Sequence, residues 1–346
     1  MIETRAYAAF AADKPLAPWT LSRREPLAND VVIDILFSGI CHSDLHTVRS
    51  EWRDVDYPLV PGHEILGKVS RVGSGVTRFK VGDLAAVGCM VDSCRTCSSC
   101  QDGLEQYCDA GMIQTYGSKD ADGRITQGGY ATNIVVDEKY VLRAPTNIAP
   151  ERVAPLLCAG ITTYSPLRHW KVGKGSRVAV LGLGGLGHMA VKIAHAMGAE
   201  VTMLSGTASK QADAKKLGAH EFVLTSDKAA VKRSAKRFDL IIDTVSGKHD
   251  LPTFLGMLKL DGKLVVVGAS PEPLELPLFP LIFNRRSISG SLIGGIAETQ
   301  EMLDFCSQHE LGADVEVIEP SQINQAYERL LKSDVRYRFV IDTGKL

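Results

Sequence analysis

The chain has 346 residues, with 39 Lys and Arg against 40 Asp and Glu and a net charge of −1. That length exceeds one ordinary hydrophobic core, so two domains are expected, and the even charge balance argues against a nucleic-acid or anionic-membrane partner, each of which usually needs a basic excess. No apolar stretch reaches the roughly 18 residues of a membrane-spanning helix. The start, MIETRAYAAF, carries no basic-then-apolar leader, so the eight cysteines read as reduced thiols in the cytoplasm.

Residues 1–151 are rich in strand-forming residues and glycine. They contain Cys41-His42-Ser43-Asp44-Leu45-His46 and Gly62-His63-Glu64, and then a dense group of thiols at Cys94, Cys97, Cys100 and Cys108, spaced C-x2-C-x2-C-x7-C. Such spacing lets neighbouring thiolates curl around one Zn²⁺ in a tetrahedron. A pair of disulfides is the alternative and needs an oxidising compartment. Four thiolates leave zinc no open position, so this site is structural and the chemistry has to lie elsewhere. Cys41 and His63, together with Cys158 at the domain boundary, make a Cys2His set that leaves a fourth position open. Taken singly, such a histidine is more often a packed or exposed residue than a ligand and such a thiol more often a small buried hydrophobe, and spacing alone does not join residues so far apart.

From Gly173 the texture changes. Arg177–Leu181 is a short apolar run suited to a buried strand, and Gly182-Leu183-Gly184-Gly185-Leu186-Gly187 follows it at once. Met189, Ala190, Ile193, Ala194 and Met197 then recur at helical spacing until Gly198. Strand, G-x-G-x-x-G and helix in succession form a dinucleotide fingerprint: Gly182 makes the tight turn, Gly184 admits the pyrophosphate, and Gly187 lets helix pack on strand. Gly185 and Leu186 lead into the helix N-terminus that faces the phosphate charge. Further strands are expected at Val201–Leu204, Glu221–Leu224, Leu240–Asp243, Leu264–Gly268 and Ser287–Ser291, with helices at Ser209–Leu217 and Leu251–Leu258. This alternation predicts an α/β fold, a doubly wound parallel sheet of the Rossmann type over 152–290.

An NAD site wants an acid at the end of the second strand to bind the ribose hydroxyls. Here that place reads Leu204-Ser205-Gly206-Thr207-Ala208-Ser209-Lys210. A carboxylate would repel a 2′-phosphate, whereas the hydroxyls of Ser205 and Thr207 with the Lys210 ammonium would accept one, which favours NADP(H). Beyond Gly294, helices are expected at Thr299–Cys306 and Ser321–Leu331, followed by a strand at Arg338–Asp342 that returns to the first domain.

Gly62-His63-Glu64-x-x-Gly67-x5-Gly73-x2-Val76 resembles the zinc-containing alcohol dehydrogenase pattern of the medium-chain dehydrogenase/reductase family. The Cys41–His46 run, Gly88–Cys94, Cys158-Ala159-Gly160-Ile161-Thr162 and Gly182–Met189 are similar to its cinnamyl alcohol dehydrogenase branch, which includes bacterial NADPH-dependent aldehyde reductases. The resemblance runs from the first strand to Tyr337–Asp342. It implies a β-rich GroES-like catalytic domain, 1–151 with 291–346, beside the Rossmann domain, and two Zn²⁺ per subunit. It places Cys41, His63 and Cys158 as ligands of the catalytic zinc, with Glu64 either a resting-state ligand or an arginine's partner. Asp44 would orient His63, Ser43 and His46 would relay a proton through a ribose hydroxyl, Thr162 would lie beside the nicotinamide, and Arg338 on the pyrophosphate side. It further implies an apolar substrate pocket at Cys89, Tyr116, Leu292 and Ile293, and a homodimer paired through the β-prone run Ser287–Ile293. The expected activity is reversible conversion of an aromatic or medium-chain alcohol and its aldehyde. A zinc polyol or sugar dehydrogenase and a non-catalytic NADPH-binding scaffold are the alternatives; a zinc-free quinone reductase would lack both cysteine sets.

Overall fold

The computed structural model describes residues 1–268 and 272–346, which divide into two compact units: Met1–Ile161 with Gly294–Leu346, and Thr162–Ile293. Both fold around sheets, and in both the functional residues sit where strands end.

The first unit is organised by one long strand, Asp30–Ile40, whose Val31, Val32, Ile33 and Ile35 are buried, as suits a β-branched run inside a sheet. Antiparallel Ile65–Val72 pairs along one edge of it. The other edge is shared, with Asn133–Asp137 beside its first half and Arg338–Asp342 beside its last residues. Leu84–Val87, Leu142–Arg143 and Val315–Ile318 complete the seven-stranded sheet. The short helical turns Pro150–Val153 and Ala154–Leu157 belong to this unit, because Leu156 and Leu157 bury completely or nearly so where the second turn packs on the sheet strands. The thiol-rich segment is an excursion between two short paired strands, Met90–Asp92 and Ile113–Gln114. The helices after Gly294 run Ile296–Gln308 and Ile323–Leu331, longer at the start of the first and shorter at the start of the second than the sequence suggests. Pro320–Gln322 forms a separate 3-10 turn ahead of the latter.

The second unit is a six-stranded, all-parallel sheet. Its spatial order is Glu221–Leu224, Glu200–Ser205, Arg177–Leu181, Phe238–Asp243, Leu258–Val266, Ser287–Gly290. The order reverses between Arg177–Leu181 and Phe238–Asp243, and ligands of open parallel sheets bind outside the strand ends at such a switch point. Ala179, Phe238, Ile241, Leu255 and Leu264 are fully buried in its core. One strand differs from expectation: Leu258–Val266 begins six residues early and stops before Val267. Its first part passes through Asp261, with φ of 62°, and the pairing with Phe238–Asp243 shifts register there, so the polar Lys259–Lys263 stretch extends the strand without an apolar signal. The expected helix at Ser209–Leu217 opens as a 3-10 turn, Ala208–Lys210, before Gln211–Lys216. Among the described residues no helix is long and apolar enough to cross a membrane.

Candidate active site and metal centres

Three neighbouring strands converge on one spot in the first unit. Cys41 follows the end of Asp30–Ile40, His63 and Glu64 immediately precede Ile65–Val72, and Arg338 opens the strand that pairs with Ile40 through Phe339. Cys158 arrives from the end of the Ala154–Leu157 turn. One donor atom from each of Cys41, His63, Glu64 and Cys158 lies within 4.8 Å of every other, and all four residues are buried. The Cys41 and Cys158 sulfurs are 3.9 Å apart, close to the edge of about 3.8 Å of a tetrahedron with Zn–S bonds near 2.3 Å.

Asp44 holds this group in place. Its side chain, fully buried, accepts from the Cys41 backbone N–H at 2.9 Å, the Gly62 N–H at 3.1 Å, His63 Nδ1 at 3.0 Å and the Tyr130 hydroxyl at 3.1 Å. The bond to Nδ1 leaves Nε2 as the His63 donor to a metal and sets its tautomer. Burial opposes charging the His63 ring, yet the Asp44 carboxylate holds its pKa well above the usual value. The hydrogen bond between the two thiols, aided by the Arg338 guanidinium, pulls Cys41 down, and the same bond pushes Cys158 up. A divalent cation would let both ionise.

Glu64 is divided in its allegiance. One carboxylate oxygen pairs with Arg338 Nη2, while Oε2 is buried with no hydrogen-bond partner. Burial lifts the Glu64 pKa to about 7 against the pull of Arg338. A Cβ at Gly39 would stand 1.9 Å from Oε2, so glycine there is what makes room for the carboxylate. An orphaned anionic oxygen beside two thiols and an imidazole fits a cation. Arg338 is 3% exposed and is engaged at this cluster through Glu64.

Ser43 and His46 lie on the helix His42–Val48 that Cys41 starts. The Ser43 hydroxyl is 3.6 Å from Cys41 Sγ. His46 Nδ1 bonds the Glu51 carboxylate, and its ring stacks on Trp52 with centroids 4.9 Å apart. Tyr116 packs its ring 5.8 Å from that of His63, and Cys89 Sγ lies 3.6 Å from the Leu157 carbonyl. Sequence reasoning missed Tyr130 and Glu51. A tyrosine buried at 0% exposure needs a hydroxyl partner, but only the fold brings Asp44 to it, 86 residues away in the chain.

Cys94, Cys97, Cys100 and Cys108 also bring their sulfurs within 4.8 Å of one another. Cys94 and Cys100 are 3.9 Å apart, again a tetrahedral edge, and all eight cysteines are free thiols. Backbone N–H groups of Thr96 and Cys97 pull the Cys94 thiol down to about 6, as suits a metal thiolate. Arg95 braces the loop by bonding Asp92 and Asp137, each at 2.9 Å, and lying over the Tyr140 ring.

In the second unit, Gly182 takes φ of 91°, and a Cβ at Gly187 would stand 1.9 Å from the Gly182 carbonyl oxygen. Gly184 is exposed with open space before it, which suits a pyrophosphate. Gly185 accepts at its carbonyl from His188 Nδ1 at 2.8 Å, a buried partner the sequence did not suggest. Gly187, buried, is the first residue of the helix Gly187–Ala196, and Leu186 precedes it. Ser205 is buried at the strand end and accepts from the Thr207 N–H at 3.2 Å, while Thr207 is exposed. Lys210 Nζ donates to the Leu183 carbonyl at 2.8 Å, which brings its charge to the glycine-rich turn. Thr162 is buried in the helix Ala159–His169. Ile293 is buried and Leu292 is 45% exposed.

Residues 27–146 match the alcohol dehydrogenase GroES-like domain, and residues 185–308 match the zinc-binding dehydrogenase domain. The chain is 57% identical over 347 aligned positions to NADP-dependent alcohol dehydrogenase C 1 of Mycolicibacterium smegmatis, covering 100% of this chain and 99% of that one. It is 52% identical to the aldehyde reductase YahK of Escherichia coli, with 100% and 99% coverage. A cinnamyl alcohol dehydrogenase structure from Sorghum bicolor superposes with a TM-score of 0.96 at 45% identity, covering 99% of this chain and 98% of that one. With both thiol clusters and the glycine-rich switch point in place, this chain belongs to the zinc-containing medium-chain alcohol dehydrogenases, in their cinnamyl alcohol dehydrogenase-like branch.

Proposed function

We propose that the protein is a zinc-dependent, NADP(H)-linked alcohol dehydrogenase that interconverts a primary aromatic or medium-chain alcohol and its aldehyde. The buried Cys41, His63, Glu64 and Cys158 cluster carries this reading, because two thiols and an imidazole supply three zinc ligands and Glu64, which also pairs with Arg338, can yield the fourth position to substrate. Zinc bound there supplies a Lewis acid toward the substrate oxygen, and the nicotinamide is the hydride donor or acceptor. Asp44 fixes the His63 tautomer, and Arg338 offsets the anionic charge that two thiols and Glu64 would otherwise concentrate. Ser43, beside Cys41, is placed to take or give the hydroxyl proton, and His46, held by Glu51, to pass it to solvent. Cys89 and Tyr116, beside this cluster, are assigned to the apolar side that meets substrate, and Thr162 in the second unit to the nicotinamide.

Coenzyme choice is assigned to Ser205, Thr207 and Lys210. The M. smegmatis relative's name as an NADP-dependent enzyme supports it, as does the missing acid after Glu200–Ser205. Loss of NADPH absorbance with cinnamaldehyde or benzaldehyde tests the activity, and no turnover with any aldehyde or alcohol would overturn it. Ser205→Asp should move preference from NADPH toward NADH by roughly tenfold or more through like-charge repulsion; an unchanged ratio would put the phosphate pocket elsewhere.

We also assign a homodimer built by a second copy on the strand Ser287–Gly290. It ends the six-stranded sheet, and the preceding segment exposes Leu278, Phe279, Ile282 and Phe283 at 63–76%. Light scattering of Phe283→Glu against the parent checks it. Two thiol clusters that must stay reduced to hold metal suit the cytoplasm.

A further inference from the structure

The strand Phe238–Asp243 ends beside the glycine-rich turn, and the loop that follows forms the facing lip of the switch point. Thr244 Oγ1 donates toward the carbonyls of Leu181 at 2.8 Å and Gly182 at 3.1 Å. A Cβ at Gly182 would meet Thr244 Oγ1 and Val245 Cγ2, each at 3.0 Å. Residues 246–248 are exposed, whereas Val245 packs against the sheet core. Its two ends are tied by one pair. Asp243, with no side-chain exposure, accepts the Val245 N–H at Oδ1, 3.1 Å away, and its Oδ2 lies 2.9 Å from His249 Nε2. His249 Nδ1 lies 2.9 Å from the Gly247 carbonyl oxygen.

A carbonyl oxygen only accepts, so Nδ1 must carry a hydrogen. The bond between Nε2 and Oδ2 then also needs a hydrogen, on either the ring or the acid. Both nitrogens are satisfied only when imidazole and carboxyl together hold one proton more than a neutral ring and a carboxylate. Burial favours that state, since it pushes the Asp243 carboxyl up. The ring packs 6.0 Å from Phe254, which is uncharged, and the charged groups flanking it in the chain are Lys248 and Asp250.

We propose that His249 and Asp243 form a one-proton latch that holds the Thr244–Lys248 loop against the glycine-rich turn, so that His249 is a positioning residue for the dinucleotide. When the proton leaves, one of the two ring bonds opens, the loop loosens, and coenzyme binds less tightly. The latch deepens the NADP(H) reading above and rests on it for the identity of the ligand.

The test is a fluorescence titration of the zinc-loaded, full-length protein with NADPH at about pH 5.5 and about pH 8.5, a span that brackets the ordinary histidine pKa. The parent's Kd should rise about fivefold over this interval, the size expected for one lost hydrogen bond. His249→Ala should bind NADPH at both pH values about as weakly as the parent does at the higher pH, with kcat at saturating NADPH within about twofold. Asp243→Asn is the informative variant: its amide N–H donates to Nε2 and its oxygen accepts from Val245, so the latch closes without the extra proton. It should bind NADPH at the higher pH as the parent does at the lower. An Asp243→Asn enzyme that keeps the parent's pH slope, or a His249→Ala enzyme that binds like the parent at the lower pH, overturns the latch. If the parent binds NADH but not NADPH, the coenzyme reading fails alone, and the same three proteins titrated with NADH decide the latch.

Discussion

The two thiol clusters use one chemistry in opposite surroundings. Cys94 to Cys108 are contributed by a single excursion of fifteen residues, and three of the four are only partly buried. Cys41, His63, Glu64 and Cys158 come from two strand ends and a turn spread over 118 residues, and every one is buried. The first group is braced mainly by backbone N–H groups and by Arg95. The second is braced by charges, Asp44 on His63 and Arg338 on Glu64, which burial makes strong and makes costly to leave unpaired. A structural ion needs only enough thiolates to close its shell, whereas an ion that meets substrate needs an apolar, charge-tuned setting and a ligand set left incomplete. The donor mix says the same thing: four sulfurs close the shell in one, whereas in the other two sulfurs and a nitrogen leave a position that only Glu64, already paired with Arg338, could fill.

If that contrast is right, its largest consequence is at Cys158. Cys158→Ser should lower kcat/KM by about a thousandfold, the equivalent of several kcal/mol of Lewis-acid assistance, and should halve the metal content while the protein stays folded. A mutant near parental activity would remove the buried cluster from catalysis. Asp44→Asn comes next: it keeps the shape but cannot accept four donors as a carboxylate does. Activity or metal affinity should fall about 10- to 100-fold, and loss confined to thermal stability would reduce Asp44 to a folding role. The smallest effect on turnover belongs to Cys97→Ser. It should lower the melting temperature and release the exposed ion to a chelator first, with kcat per folded molecule within about twofold of the parent. A large kcat loss from this variant would mean that the two clusters do not divide their tasks as described.

Much of the second unit was legible in the residues. Arg177–Leu181 falls where its apolar run places it, because a central strand buried on both faces has to be written as continuous apolar sequence. Leu258–Lys263 was not legible, since a polar strand beginning with a register shift carries no such run. The tetrathiol cluster was plain for the same local reason: its ligands are neighbours in the chain.

The sequence by itself determined which residue types were available and, through periodicity and spacing, the parallel sheet, the glycine turn and the local thiol knot. It left Cys41, His63 and Cys158 as separate residues whose union rested on resemblance. Only the tertiary structure decided that Asp44 binds His63 and Tyr130 together, that Glu64 splits between Arg338 and an unpartnered oxygen, and that His249 closes on Asp243. Local contacts follow from chain geometry over a few residues, whereas these depend on strand register and on which strands lie side by side, and a one-residue slip in either would separate them.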